Sequence, residues 1–303
     1  MRTTFINRIK ALAFGLPLMF IMSLTGCVED DLSVCGISVN FVYDKNVDRV
    51  DKFATNVDKI TLFVYDSQGN YVGEYASEGN KLHSGPIKLN LMEGEYTLVA
   101  WGNLCDDYEL ADIASYEAAV LSLRRANDTI MNRPGDLSHG ELSKIQVRAD
   151  LSANQTDTIY LTKNTNNIVV TTVGMPYSET SKTKYDCYIV SRNGDYKFDN
   201  LMTGADRLHY IPEASINGDE EKVSDFIILR ELNDKTLTNS RIFISRTTEG
   251  EGTETLVARD LTDILLPIAI TGDLDIDDYF EIELEITETN GTTTIRINDW
   301  KVF

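Results

Sequence analysis

Three histidines, His83, His139 and His209, are the natural proton-transfer groups of this 303-residue chain, and they stand far apart. No HxxxH or HExxH spacing joins any two of them, so the sequence offers no paired imidazoles for zinc. There is no glycine-rich phosphate loop and no GxSxG elbow. In "GDLDIDD", Asp273, Asp275 and Asp277 are spaced by two, like the first ligands of a calcium loop. Such a loop needs Gly at its sixth place and Glu at its twelfth, and here those places hold Asp278 and Leu284. Glu283 and Glu285 lie on one face of an alternating strand and read as a solvated face, not as a glycosidase pair. The expectation is a protein with no catalytic residue, no metal, no cofactor and no small-molecule substrate. What remains is sulfur: Cys27, Cys35, Cys105 and Cys187, with no CxxC spacing to suggest zinc.

Cys27 is set apart by its surroundings. The first ten residues carry Arg2, Arg8 and Lys10 and no acid, and "ALAFGLPLMFIMSL", Ala11 to Leu24, carries no charge. That run falls short of the roughly 20 residues of a membrane-spanning helix, so a basic start with a short apolar core reads as a secretory signal peptide. Leu24-Thr25-Gly26-Cys27 resembles the lipobox of bacterial lipoproteins. The resemblance implies cleavage between Gly26 and Cys27 and thioether lipidation of Cys27, which becomes the first residue of the mature chain. Each buried methylene contributes about 0.8 kcal/mol, and two or more acyl chains hold a protein stably on a bilayer. Glu29, Asp30 and Asp31 follow at once. They resemble the acidic surface-export signal of lipoproteins in Bacteroides-like bacteria; the plain alternative is a solvated tether.

Residues 1–26 contain three basic residues and no acid. The mature chain therefore has 28 − 3 = 25 basic against 48 acidic residues, a net of −23. Such a balance argues against nucleic acid, whose phosphates need a basic footprint. With Cys27 lipidated, Cys35, Cys105 and Cys187 remain, which allows at most one bridge and one free thiol. Cys35 opens the first strand-like run and Cys105 follows another, so these two are the candidate pair. The alternative is free thiols buried as small apolar groups.

The rest of the chain must form strands. "GISVNFVYD" alternates through Ile37, Val39, Phe41 and Tyr43. "DKITLFVYD" is apolar on both faces, which predicts a central strand, and "SQGN" turns it into "YVGEY". "PIKLNLME" and "GEYTLVAWGN" continue the series. Cys105 to Asp136 reads as a long connection with one helical turn and a possible strand at Ala118 to Leu123. Strands resume with "HGELSKIQVRADL", and a boundary is expected near the polar "SANQTDT". "YFEIELEIT" is the clearest later strand, with Phe280, Ile282, Leu284 and Ile286 on one face and Glu281, Glu283 and Glu285 on the other. Trp101 and other aromatics invite a sugar-binding reading, against which a core aromatic is the expected role. The pattern predicts an all-β chain: a signal peptide over 1–26, then β-sandwich domains over 27–157 and 158–303.

The order of "CGISVNFVYDKN", "VDKITLFVYDSQGNYV", "IKLNLMEGEYTLVAWGN", "LSHGELSKIQV" and "IYLTKNTNNIVVTTVG" resembles the FimB-type fimbrial anchor lipoproteins of Bacteroides and Porphyromonas relatives. The combination of GxYxxVAWGN, LxHGE and LxKNxN carries the likeness over residues 27–175. It extends more loosely to the terminal "IRINDWKVF". The resemblance implies two transthyretin-like seven-stranded β-sandwiches in tandem and a lipoprotein of the outer membrane. It would sit at the base of a type V fimbria, attach the fibre and limit its length. The partners implied are fimbrial stalk subunits, joined by strand exchange. An anchor that keeps its lipid keeps its N-terminal strand, so its own groove stays filled and it must donate a strand. Thr292 to Phe303 is expected to contain that donor or lie beside it. The alternative is a surface lipoprotein that binds a glycan or host protein, as an adhesin or tip subunit.

Overall fold

A computed structural model describes residues 34–130, 133–148, 155–177, 181–203, 207–230, 240–274, 276–277, 279–289 and 292–298. Gly26, Cys27 and the acidic run after them lie outside these described residues.

The chain is all-β, as two sandwiches in tandem. One sheet of the first sandwich runs in the order β10 (Gln155–Tyr160), β1 (Val34–Val42), β4 (Ile87–Met92). The facing sheet runs β11 (Thr162–Lys163), β9 (Ser138–Val147), β5 (Gly94–Gly102), β2 (Lys59–Asp66), β3 (Tyr71–Glu78). In the second sandwich one sheet is β16 (Glu213–Asn217), β17 (Glu221–Leu229), β12 (Thr165–Val173), β20 (Tyr279–Thr289), β21 (Thr292–Asn298). Its partner is β19 (Gly252–Asp260), β18 (Arg241–Thr248), β13 (Thr183–Ser191), β15 (Leu208–Tyr210), β8 (Thr129–Ile130). A small sheet of β14 (Asp195–Lys197), β7 (Val120–Leu123) and β6 (Tyr108–Ala111) lies between the halves. Short flanking strands thus carry each sandwich beyond seven strands.

Local chemistry explains much of this. Period-two patterns bury alternate side chains: Ile87, Leu89 and Leu91 of β4 face inward while Lys88, Asn90 and Met92 face water. In β20, Phe280, Ile282, Leu284 and Ile286 are buried and Glu283 is exposed. The β2–β3 turn is held by the Asp66 carboxylate, which accepts the backbone N–H groups of Gln68 (2.9 Å) and Asn70 (2.8 Å). Gly69 takes the positive φ of 78° that this turn requires.

β2 is central, as its two apolar faces predict, with β5 on one side and β3 on the other. Ile60, Leu62 and Val64 enter the core of the first sandwich. Phe63 and Tyr65, on the opposite face, belong to a second core that continues without a break into the second sandwich. In the connection from Cys105 to Asp136 the possible strand at Ala118 to Leu123 is present as β7, and just before it the Ala119 N–H donates to the Ser115 carbonyl at 2.8 Å in a single helical turn. The connection forms the β6–β7 hairpin and β8. β10 runs across position 157/158, the expected boundary, pairs in parallel with β1, and sends Ile159 into the first core. The chain passes to the second sandwich through Leu161–Thr165, where Leu161, Lys163, Asn164 and Thr165 are all buried.

Candidate functional site: the first strand and the joint between the halves

β1 occupies the middle of its sheet. It pairs in parallel with β10 from Ile37↔Gln155 to Val42↔Tyr160, and antiparallel with β4 from Val34↔Met92 to Val39↔Ile87. Ile37, Val39 and Phe41 point into the core, and burying each contributes about 1.5–3 kcal/mol. The carbonyl of Val42 accepts the N–H of Leu161 at 2.8 Å. Removing β1 would leave β10 and β4 with bare edges and a groove between them. Cys27 precedes Val34 by seven residues, a reach of roughly 25 Å at full extension.

At the other end, β21 is the edge strand of its sheet and pairs antiparallel with β20 from Glu283↔Asn298 to Thr289↔Thr292. Residues 292–298 of the expected donor segment are therefore already placed in a ladder of their own sheet. Residues 299–303 lie outside the described residues. Ile297 is 41% exposed on this edge strand.

The motifs singled out in the sequence converge on the joint. Trp101 of GxYxxVAWGN, His139 of LxHGE, and Asn164 and Asn166 of LxKNxN are all buried there. Phe63, Tyr65 and Trp101 form a socket on the first half. Phe198 of the second half enters it, with ring centroids 5.0, 6.0 and 6.0 Å away, all edge to face. His139 lies on Trp101 at 4.7 Å and donates its Nε2–H to the Phe198 carbonyl at 2.9 Å. Burial pushes the imidazole down to about 4, against the Phe198 carbonyl and Asp199, which both raise it.

The linker is polar but paired. Lys163 meets Asp136 at 3.2 Å, Asn164 accepts the Arg230 N–H at 2.9 Å, and Arg230 Nε donates to Asn166 at 2.8 Å. The Tyr196 hydroxyl and the Asn193 amide both donate to the Arg230 carbonyl. Trp101, which invited the sugar-binding reading, is thus a fully buried core residue. Of Phe198, Tyr196, Asn193 and Arg230, sequence reading singled out none. The only local signal is the alternation in "GDYKFD", which marks a strand but not what it enters.

Other candidates are not brought together. Cys105 carries a free thiol that donates to Asp107 at 3.4 Å, and the side chain of Cys35, its expected partner, lies outside the described residues. Cys187 is buried among apolar groups and its thiol is pushed up to about 12, chiefly by desolvation. Asp277 turns inward and accepts the Thr271 N–H at 3.0 Å and its hydroxyl at 3.1 Å. Among the described residues no three His, Cys, Asp or Glu side chains are grouped to hold a metal. No helix among them is long and apolar enough to cross a membrane. A cleft of about 410 Å³ lies beside the small middle sheet, lined by Asp106, Asp107, Glu109, Arg124 and Arg125.

The class the structure defines is an all-β protein of two tandem sandwiches, the first closed by its strand β1. The same architecture is seen in a candidate adhesin from Bacteroides ovatus (TM-score 0.70, 18% identity, 90% of this chain and 98% of that one). It is also seen in the fimbrial anchor protein Mfa2 from Porphyromonas gingivalis (TM-score 0.69, 22% identity, 88% and 98%). The chain belongs to the family of fimbrillin-A associated anchor proteins Mfa1 and Mfa2, whose family profile matches residues 32–302. In sequence it is 23% identical to the minor fimbrium anchoring subunit Mfa2 of Porphyromonas gingivalis over 239 residues, 73% of this chain and 72% of that one.

Proposed function

We propose that this chain is the base subunit of a fimbria, cleaved between Gly26 and Cys27 and held in the outer membrane by lipid on Cys27. The observation that carries the reading is the position of β1. It lies in the middle of its sheet, paired on both sides, seven residues after the lipidation cysteine. A tether that ends in a core strand holds the folded domain to the membrane, and the same strand keeps the groove closed to a neighbour. The base subunit can then join a fibre only at another edge, so growth stops at it and fibre length is limited there. The relatives named above as anchoring subunits support the role.

Strand exchange with the stalk subunit falls at the C-terminal end, at Thr292 to Phe303. Among the described residues β21 leaves one edge open, where main-chain hydrogen bonds to a partner strand supply affinity and alternate side chains supply fit. Deleting residues 292–303 in a chain that still reaches the surface should release fibres from cells. Fibres that stay attached would remove the C-terminal joint from the account.

A further inference from the structure

Two sandwiches on one chain move relative to each other by default, because intrachain domain interfaces resemble transient protein contacts. Here the halves trade backbone. β8 comes from the connection of the first half and adds in parallel to β15 of the second, His209↔Thr129 and Tyr210↔Ile130. The His209 N–H donates to the Asp128 carbonyl at 2.7 Å and the Ile211 N–H to the Ile130 carbonyl at 3.2 Å. In return β14 of the second half adds antiparallel to β7 of the first, from Asp195↔Ser122 to Lys197↔Val120. The Leu123 N–H donates to the Gly194 carbonyl at 2.8 Å. Arg125 closes this ladder with a bidentate pair to Asp195, Nη1 at 3.1 Å and Nη2 at 3.2 Å. Immediately after β14 comes Phe198, seated in its socket of Phe63, Tyr65 and Trp101.

We infer that this reciprocal strand addition, with Phe198 as its plug, welds the two sandwiches into one cooperative unit that cannot hinge. Separating the halves requires breaking two main-chain ladders and emptying an aromatic socket in the same event. The apolar cluster supports this, since Phe63, Val99 and Trp101 share one continuous core with Ile168, Phe226 and Ile282. The described chain enters at β1 in one half and leaves at β21 in the other, so a pull between its ends crosses the joint. The inference concerns folding and mechanics and holds whether or not the chain anchors a fibre.

The test uses the mature chain with Cys27→Ser, so that it stays unlipidated. Calorimetry should show one transition whose calorimetric and van't Hoff enthalpies agree. Phe198→Ala should then lower the protection of the slowest-exchanging amides in β1 and in β20 by the same factor, about a hundredfold or more. Phe198→Leu, which keeps apolar volume, should shift both sets together by less, and serves if the alanine variant does not fold. Two resolved transitions in the unsubstituted chain would overturn the inference. So would a loss of protection confined to β20 with β1 unchanged.

Discussion

His139 donates its Nε2–H to the Phe198 carbonyl at 2.9 Å, and through this bond a strand of the first half holds the plug of the second. The imidazole is buried and neutral, because a charge there would lose its hydration.

The burial of this imidazole makes stability depend on pH, and the bond to Phe198 offsets part of the effect. The folded value of His139 is lowered from 6.5 to about 4, so between these the unfolded chain binds a proton that the native chain does not. Stability from this group is fully present above about pH 6.5 and is lost as pH falls through about 4. The loss amounts to at most about 3 kcal/mol. Urea midpoints at pH 7 and pH 5 should differ accordingly, and His139→Gln, which keeps a donor but does not titrate, should narrow the gap. An unchanged gap in the variant would place the acid sensitivity elsewhere.

Gly140 lies in β9 against the point where the chain crosses from β10 in one sheet to β11 in the other. A Cβ there would strike Ile159 and lie 2.8 Å from the Tyr160 carbonyl oxygen. Gly140→Ala should lower stability by about 1–3 kcal/mol, the usual cost of overpacking. The denaturation midpoint should fall with the m-value unchanged.

The closed groove rests on buried side chains of β1. Ile37→Ala, at a fully buried position, should cost about 2–5 kcal/mol. Amides of β10 and β4 should exchange faster together, since both pair with β1. If only the amides of β1 itself changed, the strand would not be the keystone of that sheet.

Thiol labelling separates the cysteines. Cys105 is exposed and should react in the native protein, although burial of its sulfur raises it and slows attack. Cys187, held near 12, should react only on unfolding. Should Cys35 and Cys105 be bridged in the exported protein, native labelling would find no Cys105, and reduction would restore it.

The sequence announced the strands whose partners lie on one wet and one dry face. β4 and β20 are legible because every second side chain is apolar. β2 is legible as a central strand for the opposite reason, being apolar on both faces. What could not be read was pairing at a distance. β1 beside β10 and β12 beside β20 are parallel contacts between segments more than 100 residues apart, with no turn to signal them. The same holds for β14, a three-residue strand that pairs with a connection it never adjoins in sequence. His139 stood out as an ionisable residue, but its role depends on Phe198, which nothing in the sequence places beside it. The reading of Cys27 as a lipidation site comes from the basic start, the apolar run and residues 24–27, and the fold adds that β1 begins seven residues later.

We propose that lipid on Cys27, acting through β1, holds a fibre to the cell. The most direct measurement is Cys27→Ala in the producing cell, with fibres imaged on cells and in the medium. Fibres of normal composition should be shed into the medium, with few left on cells. Fibres still attached in normal number would contradict the proposal.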